Sequence, residues 1–210
     1  MKRKIYIIGI DEVGRGSLAG PVTVAVVAMS ADIKIFIPHQ KLKLKDSKQL
    51  TENQREAWFE HVKNCPKIYR TVANVYSKAI DRINISRAAN LAATRAFKKL
   101  IVRHLGAIAC GKIFLDGGLF LNKKTALDVG RFFEIKTIIR ADEKYNCVKL
   151  ASIVAKVTRD RLMKRNHKKF PSYNFAQHKG YGTKAHVEAI KKYGLSSIHR
   201  QSFVKNIPLV

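Results

Sequence analysis

Hydrophobic and polar positions in this chain follow two periods. Residues 5–10, with Ile5, Ile7, Ile8 and Ile10, form a short apolar run rich in β-branched side chains, the pattern of a buried strand. A Gly-rich turn at Gly14-Arg15-Gly16 follows, and residues 21–28 read as a second strand. Residues 68–76, 112–115 and 134–139 give three more strand patterns, the last two ending near Asp116 and Asp142. Between them the spacing lengthens to that of helices. Thr51 with Gln54 makes a capping-box signature for a helix to about Val62. Ala89, Ala92, Ala93, Ala96, Phe97, Leu100 and Ile101 share one face of a helix over 86–104, with Gly106 as its stop. Leu150, Ile153, Val154 and Val157 open another that reaches about Lys164, and a last helix covers 184–193 before Gly194. Residues 38–50 and 166–182 read as loops. Strands and helices so intermixed predict an α/β or α+β layer fold with one core, within the size of one domain.

Charge changes the picture. Lys and Arg number 41 against 15 Asp and Glu, a net +26, and the excess is spread over both halves of the chain. A solubility surface needs only a modest net charge, whereas a field this strong gathers polyanions and makes association salt-dependent. No basic amphipathic helix stands out to favour a membrane surface over nucleic acid. Cys65, Cys110 and Cys147 are odd in number and widely spaced, which argues against a disulfide framework or zinc ribbon and points to a reducing compartment. The apolar run after Met1-Lys2-Arg3-Lys4 is cut by Asp11 and Glu12 too early for a signal peptide. The expectation is a cytoplasmic protein, off the membrane, a monomer with no obligate protein partner.

In so basic a chain the few acids carry information. Asp11 and Glu12 follow the first strand, Asp116 follows another, and Asp142 a third. Carboxylates converging at strand ends make a hard-oxygen site suited to Mg²⁺ or Mn²⁺, and two such ions side by side activate water and stabilise a leaving oxygen at phosphorus. Asp142 is preferred to its neighbour Glu143, which is expected to face solvent. Gly14-Arg15-Gly16 is either a plain turn or a place where amides and a guanidinium meet a phosphate or sugar. Lys48, in Lys45-Asp46-Ser47-Lys48, either contacts phosphate or sits on a solvated turn. Tyr181, between Gly180 and Gly182, either stacks on a sugar or packs back on the core. Residues 164–169 add to the basic footprint. His178, His186 and His199 show no ligand spacing and are expected at the surface or in caps. Gly14 to Ala19 fits G-x-G-x-x-A, but a strand follows where a dinucleotide-binding turn must open a helix. Gly106 to Lys112 fits G-x-x-x-x-G-K, but Ile113 stands where a P-loop needs Ser or Thr.

Several segments then resemble one family, in its order: Asp11-Glu12-Val13-Gly14-Arg15-Gly16 with Ala19-Gly20-Pro21-Val22, Asp46-Ser47-Lys48, Asp81-Arg82-Ile83-Asn84-Ile85, Leu115-Asp116-Gly117, residues 151–161, Gly180-Tyr181-Gly182-Thr183 and residues 198–203. These are similar to ribonuclease HII, the type 2 ribonuclease H family. The resemblance implies an RNase H-like mixed sheet flanked by helices over about 1–165, with a C-terminal helical extension over about 166–210. It implies metal binding by Asp11, Glu12, Asp116 and Asp142, recognition of the ribonucleotide 2′-OH by Gly14, Arg15 and Gly16, and junction sensing by Tyr181. It implies hydrolysis 5′ of ribonucleotides in RNA/DNA hybrids and in ribonucleotide-containing duplex DNA, leaving 3′-OH and 5′-phosphate. Arg15 favours this branch over the type 3 enzymes. Ala141 departs from the family's usual Gly before the fourth carboxylate. The rivals are another RNase H-like nuclease such as a junction resolvase, a basic RNA-binding protein without catalysis, and an oxidoreductase.

Overall fold

A computed structural model of the chain describes residues 4–33, 35, 37, 42–104, 108–130 and 133–208. Five strands form one mixed sheet: β1 (Lys4–Val13), β2 (Val22–Ser30), β3 (Ile68–Val75), β4 (Ile108–Asp116) and β5 (Phe133–Ile138). Their order is β3-β2-β1-β4-β5. β1 pairs antiparallel with β2 and parallel with β4; β2–β3 is antiparallel and β4–β5 parallel. The helices are α1 (Glu52–Asn64), α2 (Ser77–Ile83), α3 (Ile85–His104), α4 (Lys123–Gly130), α5 (Ala141–Lys144), α6 (Asn146–Lys169), α7 (Phe175–His178) and α8 (Lys184–Tyr193).

Strand periodicity divides the core. Ile8, Ile10, Val24, Val26, Ile113 and Leu115 meet the alanine-rich face of α3 on one side of the sheet. Ala25, Val27 and Phe114 meet α6 and the Trp58, Phe59 and Val62 face of α1 on the other. Small residues let α3 and α6 lie close to the strands. At Gly9 an added Cβ would fall 2.4 Å from the Cys147 carbonyl oxygen, so even alanine there would push α6 off the sheet. A third cluster, with Ala19, Met163, Tyr173, Phe175, Ile190 and Val204, packs the end of α6 against α7 and α8.

The expected capping box is present: Thr51 Oγ1 accepts from the Gln54 amide and Gln54 Oε1 accepts from the Thr51 amide. Three expectations need correction. β1 runs through Asp11 and Glu12 instead of stopping before them. α6 starts at Asn146 and continues to Lys169, because the charged run after Lys164 remains helical until Pro171. The rest of the expected 166–182 loop holds a 3₁₀ turn at Pro171–Tyr173 and α7. Gly106 and residues 38–41 lie outside the described residues. Within 42–50, Ser47–Gln49 form a 3₁₀ turn.

Candidate active site

Asp11 and Asp116 stand on neighbouring parallel strands, one step beyond the Ile10–Leu115 pair and on the α6 side of the sheet. Adjacent strands lie about 4.8 Å apart, so the two carboxylates are close by construction. Asp11 is buried against Ser152 of α6, whose hydroxyl lies 2.8 Å from that of Ser47. Glu12 points to the opposite face, as strand alternation requires, and reaches the strand end beside Arg15 at 3.3 Å. Asp142 arrives from another element. Asp116 Oδ1 accepts the Ala141 amide at 2.6 Å and the Asp142 amide at 3.4 Å, so the carboxylate of β4 caps α5 and seats Asp142 beside it. The left-handed residue at this corner is Arg140 (φ 56°). Ala141 is helical and buried, so an alanine there in place of glycine is not strained. Glu143 is exposed and lies 3.8 Å from Arg140.

All four acids line one cleft of about 400 Å³, with Ser47, Lys48, Arg55, Ser152, Lys156 and Tyr181 around them. Burial, then repulsion from Glu12, raises the Asp11 pKa well above the ordinary carboxylate value. Burial raises Glu12 although Arg15 opposes it, and burial followed by the Asp142 charge raises Asp116. Glu12 Oε2 is buried without a hydrogen-bond partner. Lys48 reaches over the cleft to within 3.5 Å of Asp142 Oδ2. Burial lowers the Lys48 pKa, but Asp142 and Asp46 outweigh it and the net shift is upward.

These carboxylates suit a hard divalent cation: all donors are oxygen, one is orphaned, and Asp11 and Asp116 have no cation at ion-pair distance among the described residues. Among the described residues no three His, Cys, Asp or Glu side chains already stand at ligand spacing. Donor chemistry decides here over resting distance, because like charges hold apart until a cation screens them.

Of the other expected site residues, Tyr181 lines the cleft, with Lys156 Nζ 6.0 Å and Arg159 Cζ 5.5 Å from its ring centroid. Gly14, Arg15 and Gly16 form the turn after β1, with Arg15 also donating to Ser86 Oγ at 2.8 Å. Ser152, Lys156 and Arg55 were not singled out by sequence; the first two lie in the 151–161 block that carries the family resemblance. Arg55 donates to the Ser47 and Leu50 carbonyls and so steadies the turn bearing Lys48.

The surface alternative for the histidines is overturned. His178, His186 and His199 are buried together. The His178 and His186 rings stack at 4.3 Å, and His186 Nε2 lies 3.0 Å from His199 Nε2. They carry no free ligand set; their nitrogens hold the backbone around Tyr181.

A mixed five-stranded sheet with acids gathered at the ends of its central parallel strands defines a nuclease of RNase H-like fold. The family model for Ribonuclease HII matches residues 8–206. A ribonuclease HII from Acetivibrio thermocellus is 46% identical over 200 residues, covering 95% of this chain and 70% of that protein. The ribonuclease H2 structure from Pyrococcus horikoshii superposes with TM-score 0.70 at 28% identity, covering 97% of both chains. The PCNA:RNase HII complex structure from Archaeoglobus fulgidus gives TM-score 0.70 at 26% identity, covering 95% of this chain and 94% of that one. The chain belongs to the ribonuclease HII family, and its activity is that of an RNase H endoribonuclease. Among the described residues no helix is long and apolar enough to cross a membrane.

Proposed function

We propose that this endonuclease cuts the RNA strand of RNA/DNA hybrids and also cuts 5′ of ribonucleotides embedded in duplex DNA, leaving 3′-OH and 5′-phosphate. One observation carries the reading: four carboxylates from β1, β4 and α5 line a single cleft in a chain of net charge +26. Two divalent ions, Mg²⁺ or Mn²⁺, held by Asp11, Glu12, Asp116 and Asp142, would supply activation of water and charge neutralisation at phosphorus. The protein's own groups do the positioning. Lys48 and Lys156 draw the phosphate toward acids that alone would repel it. The Gly14–Arg15–Gly16 turn meets the ribose 2′-OH, and Tyr181 packs against the neighbouring sugar. In this reading the chain is one domain, about 1–165 carrying the acids and about 166–210 carrying Tyr181 as a helical extension.

The test is a cleavage gel on a duplex with one embedded ribonucleotide and on a four-way junction, in Mg²⁺, Mn²⁺ or EDTA, using wild type and Asp116→Asn. The expected result is one cut 5′ of the ribonucleotide, dependent on metal and on Asp116. Cutting in EDTA, undiminished cutting by the variant, or preference for the junction overturns the reading.

A further inference from the structure

Two arginines are buried to zero exposure: Arg159 on α6 and Arg200 after α8. Among the described residues neither has a carboxylate at ion-pair distance. Their donors go to main-chain carbonyls instead. Arg159 donates to Pro21 at 2.9 Å, Lys179 at 2.8 Å and Ala19 at 3.1 Å. Arg200 donates to Gly14 at 2.7 Å, Arg15 at 2.8 Å and Gly20 at 3.0 Å, with its guanidinium 5.1 Å from the Phe203 ring centroid. Burial and the neighbouring Arg159 charge pull the Arg200 pKa down, yet an arginine remains protonated at neutral pH. A fold that only needed this volume filled would use an apolar side chain. A buried cation without a counterion persists where all its donors have work.

The bonds of Arg200 have a stereochemical consequence. In a trans peptide the C=O of one residue and the N–H of the next point in opposite directions. Turning the Gly14 and Arg15 carbonyls inward therefore turns the Arg15 and Gly16 amides outward. Neither amide donates to a backbone carbonyl among the described residues. The space where a Gly16 Cβ would stand is open, with nothing within 4 Å. Two successive outward amides beside a guanidinium form a small concave donor site.

We infer that Arg200 is the positioning residue of the Gly14–Gly16 turn: by holding two carbonyls inward it presents the Arg15 and Gly16 amides, and the Arg15 side chain, to the ribose hydroxyl. The inference rests on the reading of this turn as the sugar-recognising one. Arg159 ties the same segment, through Ala19 and Pro21, to Lys179 beside Tyr181, so the two turns proposed to contact substrate share one guanidinium pair.

The test uses the full chain with Arg200→Lys, which keeps the charge and loses the planar fork, and Phe203→Leu, which loosens the guanidinium while leaving its hydrogen bonds. Affinities in EDTA are measured for a duplex with one ribonucleotide and for the all-DNA duplex of the same sequence, and amide hydrogen exchange is followed at Arg15 and Gly16. The expected result for Arg200→Lys is a loss of ribonucleotide preference of about tenfold with all-DNA affinity unchanged, and faster exchange at both amides. Phe203→Leu shifts both readouts the same way by less, and decides the matter where Arg200→Lys does not fold. A fall of both affinities in proportion, or unchanged exchange in a folded variant, overturns the assignment. If wild type itself shows no ribonucleotide preference, the functional reading fails, and the exchange rates still decide whether Arg200 orders the turn.

Discussion

The histidine cluster makes stability depend on pH in a direction the rest of the site opposes. Its hydrogen bonds fix three neutral rings. His186 Nδ1 donates to the Tyr181 carbonyl at 2.9 Å, so its Nε2 must accept. His199 Nε2 then donates across the 3.0 Å gap, and its Nδ1 accepts from the Ser196 amide at 2.9 Å. His178 Nδ1 accepts the Gly180 amide at 3.2 Å while Nε2 donates to the Tyr173 carbonyl at 2.6 Å. A proton added to His186 sets N–H against N–H. Burial is the main cause that lowers His186 and His199 to about 4, with the charge of neighbouring rings a further one.

Unfolded, these rings titrate near 6.5, so between about pH 6.5 and 4 the unfolded chain binds more protons than the folded one. Their contribution is complete above that window and is lost as pH falls through it. A single fully linked ring adds a slope of about 1.4 kcal/mol per pH unit, so the His186–His199 pair alone makes a large share of a typical stability of about 5–15 kcal/mol depend on pH. The raised pKa values of Asp11, Glu12 and Asp116 act oppositely, since protonation relieves their repulsion. The assay is therefore differential: urea denaturation by circular dichroism from pH 7.5 to 4.5, in EDTA, for wild type and His199→Gln. Glutamine offers an N–H to His186 but does not titrate. Between pH 6 and 5 the variant's stability should fall less steeply than wild type by about 1 kcal/mol per pH unit. Equal slopes would refute the assigned ring states.

Removing the acids' repulsion with a cation should stabilise the fold: Mg²⁺ or Mn²⁺ at 100 times its dissociation constant adds about 2.7 kcal/mol, read as a higher Tm that Asp11→Asn abolishes. Lys48→Ala should change stability by less than about 1 kcal/mol, because its Nζ is 3.5 Å from Asp142 on an exposed side chain, yet lower substrate affinity and flatten its salt dependence by about one counterion. Gly14→Ala should destabilise by about 2 kcal/mol or more in thermal melts, since Gly14 has φ +84° and an added Cβ would lie 2.1 Å from Arg159 Nε.

The centre of the sheet was legible because β2 and most of β1 are buried on both faces and read as apolar runs. The α3 face and the Thr51 cap follow equally plain local rules. The short helices α2 and α5 were not legible, since each is tied down by long-range contacts, and α4 was missed although Asn122 before it accepts the Thr125 amide at 2.8 Å. The Asp81 carboxylate near the end of α2 accepts the Gln201 and Ser202 amides at 3.0 Å, and α5 owes its start to Asp116. The acids stood out because they are scarce and close strand patterns; that they share a cleft is a matter of parallel β1–β4 pairing, which no local pattern encodes. The histidines failed for a different reason. A buried imidazole looks like a surface one in sequence, and only the pairing of three rings with backbone groups distributed over residues 173–199 reveals the network.

Charge ties the two halves of the site together. Around the cleft Asp11 and Asp116 are held by neutral groups, Ser152 and backbone amides, while Glu12 and Asp142 meet only the outer, exposed cations Arg15 and Lys48. Behind the Gly14–Gly16 turn, by contrast, two guanidiniums are sunk into the core with carbonyls as their hydrogen-bond acceptors. Had either arginine been placed beside the acids, it would have neutralised them and competed with a cation for their oxygens. Spending the buried positive charge on backbone geometry leaves Asp11 and Asp116 without a cationic partner among the described residues, a condition that favours divalent ions. In the proposed reading the long, exposed Lys48 would yield Asp142 to an ion and turn toward a phosphate, the ion replacing it as the partner of that buried carboxylate.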